Sequence, residues 1–528
     1  DHGLDVMTRL FLYMGERVIK IAAHFQTQGV ARFRAVQCDG RNFVAYVEQD
    51  MPIFHCVMFP LSSRSSRVFV QTRCDKVSRQ CRQVKAAIRP GQFFAGKRAE
   101  GQNGCLWFQT RRRMSDDADL RAIDACLDRG DPVRALILCD TLLTRQPDLP
   151  AAASRRGAAL LDLDRPVEAR RAFNKMLNED PASGAAWNGL GKAFYDLGDL
   201  TAAADAFGRA AVLLDDGAGA RYHQSMALLA AGDFAAGWPA HEARLDVDRI
   251  GYRDLPQPRW IGEPLNGRRL LVLFEQGYGD MMQFARYLPH LCARDGDIIV
   301  EMPAELIPVL SPLAPGAVIL ATESQADAVY NSDLVVWLMS LPGILGTKTI
   351  ADIPADIPYI ADPEIKTPVI SGAGGNAVGL VWAGRATHPQ DRQRSMNGAL
   401  LAPVLEVTGV EFHALQREGE IDAALTPRFH RDWRDEMVNF SATAAIVASL
   451  DLVITVDTSI AHLAGAMGRP VWVMLPFAAD WRWFRDRADS PWYSTMRLFR
   501  QDRPGDWGSV IDAVGAALMD WRAGIAKN

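Results

Sequence analysis

The chain has 528 residues, 48% of them hydrophobic and 23% charged, enough length for roughly three or four domains with cores of their own. This usage excludes global disorder, a disulfide miniprotein and a bundle of membrane spans. The formal charge of −5 hides an asymmetry: residues 1–114 hold 19 Lys and Arg against 8 Asp and Glu, leaving 39 against 55 for the rest, which argues against nucleic acid as the partner of the main body.

Cys38, Cys56, Cys74, Cys81 and Cys105 fall in that basic first fifth, and only Cys126, Cys139 and Cys292 serve the remainder. Their spacings match no zinc or redox motif, and so sparse a set suits a reducing cytosol, so a cytoplasmic protein is expected. No apolar run reaches the roughly 18 residues of a spanning helix, and charges interrupt the opening residues where an export signal needs an apolar stretch.

Residues 1–114 show no clear period and include SSRSSRVFVQTR and QTRRRM. One reading is a basic arm for nucleic acid or a membrane; the reading preferred is a leader without selected structure, with the native start at Met114. Ser115 and Asp116 are then placed to cap the first helix of a regular pattern.

Repeats are expected over 115–250. Gly130-Asp131, Asp164-Arg165, Gly198-Asp199 and Gly232-Asp233 recur every 34 residues, and Ala135, Ala169 and Ala203 keep the same register. Small residues such as Gly191 and Ala203 facing a large one such as Phe207 let antiparallel helices pack closely. A fourth, degenerate unit over 221–245 carries Gly237 and His241 at the small and aromatic positions; His241 and His223 read as packing or surface residues. The array either docks a protein or braces the next domain.

After the linker PQPRWIGEPLNG (256–267), short apolar runs alternate with helical stretches, which predicts two parallel-sheet α/β domains over 265–370 and 376–528. The expected strands are RRLLVLFEQ, DIIVEMP, AVILAT and DLVVWLM, then AVGLVWAGR, GVEFHALQ, DLVITV and PVWVMLP. SGAGGN (371–376) precedes a strand, so it reads as an interdomain linker and not a phosphate loop. Ligands of such sheets sit at the carboxyl ends of strands.

Four motifs lie at those ends. Gly277-Tyr-Gly-Asp280 opens a helix, where glycines allow a close backbone approach; Asp280 is either a general base or a helix cap. Asp457-Thr458-Ser459, with His462 one turn on, offers a phosphate cradle or an ordinary cap with a packed histidine. Arg385, Arg392 and Arg394 can neutralise a leaving phosphate or simply be solvated, and Gln416 can touch a nucleobase or merely end its strand. The segment 475–507 is dense in Trp and Arg; Trp481, Trp483, Trp492, Trp507 and Trp521 either stack on a sugar or base or pack the closing helix back across the two halves, packing being the reading for most of them.

WNGLGKAFYDLGDLTAAADAFGRA (187–210) resembles the tetratricopeptide signature. EQGYGD with QFARYLP, VGLVWAGR with DRQRS, and DTSIAHLAGAMGRPVWVMLPF with DWRWF resemble the bacterial tetratricopeptide-repeat glycosyltransferases. Their catalytic part is similar to the heptosyltransferase family. The resemblance covers about residues 118–520. It implies a tetratricopeptide α-solenoid followed by a GT-B fold of two Rossmann-like domains, and inverting transfer from a nucleotide-sugar cosubstrate with no metal or other cofactor. It implies Asp280 as the base within the Gly277 and Gly279 loop, and Asp457, Thr458 and His462 as donor-binding, with Ser459 standing where the family has Gly. The family's basic residue has three competitors here, Arg385, Arg392 and Arg394. Relatives include flagellin-modifying enzymes, so a protein acceptor recruited by the repeats is expected, without nucleic acid or a membrane span. A lipid or polysaccharide acceptor, or a non-catalytic scaffold, are the alternatives.

Overall fold

The computed structural model describes residues 32–39, 42–48, 55–60, 69–71, 103–247, 253, 255–322, 331–361, 376–388, 390–419 and 421–525. It separates into two compact units, residues 1–102 and 103–528. In the first, β1 (Arg32–Asp39), β2 (Asn42–Glu48), β3 (His55–Pro60) and β4 (Phe69–Gln71) pair antiparallel in chain order. This differs from the unstructured leader that the sequence suggested. No one period runs through these strands: β1 alternates only from Arg32 to Ala35, and β2 is apolar at every position from Phe43 to Val47.

The second unit opens with eight helices: α1 (Asn103–Asp128), α2 (Pro132–Arg145), α3 (Pro150–Asp162), α4 (Pro166–Glu179), α5 (Gly184–Leu197), α6 (Leu200–Leu213), α7 (Ala218–Ala230) and α8 (Phe234–His241). Helix α1 runs unbroken across Met114, so Ser115 and Asp116 lie inside it and do not begin it. The 34-residue period is a turn geometry. Gly130, Asp164, Gly198 and Gly232 have φ of 68°, 55°, 84° and 81°, a left-handed backbone that glycine adopts freely and Asp tolerates. The Asp that follows caps the next helix: Asp131, Asp199 and Asp233 accept the amides of Arg134, Ala202 and Ala236, each at 3.1 Å. Arg165 cannot accept, and α4 begins instead with Pro166, which has no amide to satisfy. Between helices, Gly157 and Gly189 both lie against the Phe173 ring; a Cβ on either would come within 2.3 Å of it.

The linker after the repeats pairs with the first sheet, Trp260 N donating to Val335 O at 2.8 Å and Val335 N to Pro258 O at 3.1 Å. That sheet holds β5 (Arg269–Leu273), β6 (Asp297–Met302), β7 (Val318–Ala321) and β8 (Leu334–Trp337) in the order β7-β6-β5-β8, all parallel. The second sheet holds β9 (Ala377–Val381), β10 (Glu411–Ala414), β11 (Arg431–Asp432), β12 (Leu452–Val456), β13 (Val471–Leu475) and β14 (Met496–Arg500). Its order is β11-β10-β9-β12-β13-β14, again all parallel. Every residue of β9, β12 and β13 is buried, so helices must cover both faces. Helices α9 (Tyr278–Ala285) and α10 (Leu288–Cys292) follow β5 in the first domain; in the second, α11 (Phe440–Ala448) and α12 (Ser459–Ala466) cover one face and α13 (Trp507–Ile525) the other. Strands β11 and β14 were not foreseen; β11 spans two residues, and β14 reads MRLFR, with arginines breaking its apolar run. Most of SGAGGN lies outside the described residues.

The helical repeats followed by two parallel α/β domains are the architecture expected. The repeats are not merely tethered: Phe234 and Trp238 of α8 share one core with Phe284 of α9 and Leu463 of α12. Among the described residues, no helix is long and apolar enough to cross a membrane.

Candidate active site

Strand β5 ends at Leu273, and the chain then passes through Phe274 and Glu275 and turns through Gln276 and Gly277 into α9. Asp280 lies in the first turn of that helix, where its Oδ2 accepts the Gly277 amide at 2.9 Å. The helix-cap reading therefore holds, but for one oxygen only. The other, Oδ1, accepts from Arg482 Nη2. Arg482 is buried; its Nη1 donates to Asp480 at 2.7 Å, its Nε to Gln283 at 2.7 Å, and its guanidinium lies 4.6 Å from the centre of the Trp481 ring. Burial pushes the Asp280 carboxyl above the usual carboxylate range while Arg482 pulls it back. The Nε2 of Gln283 is buried without a hydrogen-bond partner beside this pair.

Asp480 and Arg482 belong to the DWRWF motif of the Trp- and Arg-rich segment, but the sequence assigned neither of them a role. The signal available was an arginine between two tryptophans that both bury: Trp481 is 2% and Trp483 0% exposed, so the residue between them needs partners. The tryptophans pack as expected, Trp481 meeting Trp238 edge-on with ring centres 5.6 Å apart and Trp492 at 6.0 Å.

The loop before Asp280 is held from the repeat side. Arg244, fully buried just after α8, grips Glu275 in a fork with Nε–Oε2 and Nη2–Oε1 at 2.9 and 2.8 Å. The Met339 amide and Ser340 complete the network, at 3.0 Å to Glu275 and 2.9 Å to Arg244.

Facing α9 is the other half of the site. After β12, Asp457 and Thr458 lead into α12, and Thr458 is extended with φ −142°. Its hydroxyl lies 3.0 Å from Thr455 Oγ1 and caps nothing, so the first amides of α12 have no side-chain cap. His462 is buried one turn on, its Nδ1 2.9 Å from the Tyr493 hydroxyl and its ring 5.3 Å from that of Trp483. Its other edge rests on Gly279, where a Cβ would come within 2.7 Å of the imidazole. The second glycine of the loop is thus required by the seam between α9 and α12. Burial drives the His462 pKa well down, so the imidazole is neutral. Burial and the neighbouring charge of Asp480 raise Asp457 to about 6.

Of the three competing arginines, Arg394 is at this site. Its Nη1 donates to the Asp457 carbonyl at 3.2 Å, and its guanidinium lies so close over Gly384 that a Cβ there would come within 2.4 Å of it. Arg385 is 65% exposed, 3.8 Å from Glu418. Arg392 turns toward the repeats and lines a small groove with Asp164 and Asp196. Gln416 requires correction as a nucleobase contact. Its Oε1 accepts the Trp382 and Ala383 amides at 3.0 Å, and its Nε2 donates to the Ala383 and Glu418 carbonyls at 2.9 Å. All its amide capacity serves backbone, so it fastens the loop after β9 to β10. Among the described residues, no cluster of three His, Cys, Asp or Glu is placed to hold a metal ion.

The fold and site define a protein of paired helical repeats whose last helices are built into two parallel α/β domains, with charged residues converging at the seam. A tetratricopeptide-repeat family model matches residues 154–220. The chain is 29% identical over 364 residues to Protein FlbA of Caulobacter vibrioides, an alignment covering 62% of this chain and 60% of that protein. It thus spans less than two thirds of that relative. Among solved structures, the iron-containing dodecameric glycosyltransferase TibC of enterotoxigenic E. coli is 13% identical, with 50% of this chain and 76% of that one covered and a TM-score of 0.34. An O-GlcNAc transferase of Thermobaculum terrenum is also 13% identical, with 79% and 92% covered and a TM-score of 0.29.

Proposed function

We propose that this chain is a glycosyltransferase that moves a sugar from a nucleotide-activated donor to a protein acceptor recruited by the repeats. The observation that carries this reading is the seam at which α9, with Asp280 in its first turn, meets α12 through Gly279 and His462, while Arg394 holds the Asp457 carbonyl just before the uncapped start of α12. In the reaction, an acceptor hydroxyl oxygen attacks the anomeric carbon while the bond from that carbon to the donor phosphate breaks. The hydroxyl proton passes to the Asp280 carboxylate, and the phosphate leaves with the electron pair. A carboxyl raised by burial is better matched to that proton than an exposed one. The α12 amides and Arg394 stabilise the leaving negative charge, so this route needs no metal ion. A single displacement inverts the anomeric centre. The sparse cysteines of the body favour the cytosol as the compartment.

The test is thermal shift of the full chain against a panel of nucleotides and nucleotide sugars, where a ligand at 100 times its Kd adds about 2.7 kcal/mol. One nucleotide class is expected to shift the protein, and Asp280→Asn is expected to keep that shift but lose transfer by at least about a hundredfold. No shift with any nucleotide, or transfer by Asp280→Asn at the original rate, would overturn the reading.

A further inference from the structure

Asp280 is not held by its own domain alone. Asp280 and Gln283 lie one turn apart on α9, in the first α/β domain, and both accept from Arg482 of the second: Nη2 donates to Asp280, and Nε to Gln283 at 2.7 Å. The third nitrogen, Nη1, donates to Asp480 Oδ1 at 2.7 Å, and the same oxygen accepts the Arg482 amide at 3.1 Å. A guanidinium is a rigid planar fork, so three acceptors fix both its place and its plane. Trp481 and Trp483 flank it in sequence, and both are buried, which holds the turn that carries it.

Stability alone does not account for this arrangement. Arg482 is buried, while Asp280 and Asp480 keep part of their surface in water. A buried cation between carboxylates is often no more stabilising than an apolar side chain of similar volume. What the pair does is fix the Asp280 carboxyl, whose Oδ2 is held by the Gly277 amide and Oδ1 by Arg482. A carboxylate gripped at both oxygens does not rotate, and each oxygen keeps a lone pair for a further donor. The other ionisable groups around Asp280 are Asp480, Glu275 in the preceding loop, Tyr222 of α7, His388 in the loop after β9 and His462 of α12, with Asp457 acting through Asp480. Among the described residues, none of these bonds the Asp280 carboxylate.

We infer that Arg482 and Asp480 are positioning residues of sugar transfer: Arg482 aims the Asp280 carboxylate at the acceptor hydroxyl, and Asp480 holds Arg482 in the place from which it does so. This rests on the transferase reading above, with Asp280 as the base. Because Arg482 reaches α9 from the second domain, the base is in register only while the two domains are seated against each other.

The experiment measures kcat and the donor KM of the full chain as a function of pH, with the nucleotide sugar giving the largest thermal shift and peptides bearing Ser and Thr. Arg482→Met is expected to lower kcat at least about tenfold with the donor KM little changed. It also moves the acid limb of kcat to higher pH, because the carboxylate has lost the cation that favours its charged form. Asp480→Asn keeps an oxygen for Arg482 but loses a negative charge, so its limb moves to lower pH. Arg482→Lys keeps the charge without the three-pronged grip; it returns the limb toward that of the parent while kcat stays reduced. Limbs that stay in place, or that move the same way in Arg482→Met and Asp480→Asn, overturn this assignment alone. So does a loss of kcat that only follows the folded fraction seen by tryptophan fluorescence. If Arg482→Met does not fold, the limbs of Asp480→Asn and Arg482→Lys decide the question. A parent chain that transfers no sugar, or that keeps its rate in Asp280→Asn, overturns the transferase reading or its base, and this assignment with it.

Discussion

Replacing Arg482 by methionine keeps an apolar stem beside Trp481 but removes the bonds to Asp280, Asp480 and Gln283. Two carboxylates are then left beside each other with side-chain exposures of 20% and 25%. Removing one partner of a buried ion pair costs about 3–5 kcal/mol, and this residual water contact places the expectation near the lower end, about 3 kcal/mol at neutral pH. The pH dependence has a definite sign. Asp280 already stands above its ordinary value through burial, and Arg482 is the first influence opposing that rise. Without the guanidinium the carboxyl rises further, so the folded state binds its proton more tightly than the unfolded state does. Stability is then lost as pH climbs from the ordinary carboxylate range toward the raised value, at up to about 1.4 kcal/mol per pH unit for each such group. The deficit of Arg482→Met relative to the parent chain is therefore small near pH 4.5 and largest at pH 7.5. Urea unfolding followed by tryptophan fluorescence reads this region directly, because Trp481, Trp483 and Trp492 pack around it. A deficit below about 1 kcal/mol at pH 7.5, or one equal at both pH values, would refute the reasoning.

Three further outcomes are expected. Gly191→Ala places a methyl group within 2.6 Å of the Phe207 ring and should destabilise the repeats by about 1–3 kcal/mol, seen as a lower Tm in calorimetry. Asp457→Asn removes a carboxyl raised to about 6; because that shift costs stability as pH rises from about 4 to 6, the variant should gain about 1–3 kcal/mol at pH 7 and none at pH 4 in denaturant titrations. Gln416→Leu should lose about 1–3 kcal/mol of stability by leaving the Trp382 and Ala383 amides unpaired, while the nucleotide class that shifts the protein stays the same; a changed nucleotide preference would restore the nucleobase role.

The features legible along the chain are those that local physics sets. A left-handed turn every 34 residues demands Gly or Asp, the helix after it favours Asp at the cap, and a strand buried on both faces must be apolar throughout. The repeats, the eight expected strands and the glycine loop before Asp280 were readable for those reasons. What tertiary structure decided was partnership. Arg394 and not Arg385 or Arg392 reaches the Asp457 loop, Gln416 spends its amide on backbone, and Gly279 is small because His462 presses on it from the other domain. Arg482 meets Asp280 across 202 residues, and Phe234 and Trp238 of the last repeat pack into the core beside Phe284 and Leu463. A periodic pattern records what each residue's own backbone requires, whereas the match between two distant side chains depends on how whole elements pack, which no local window of sequence contains.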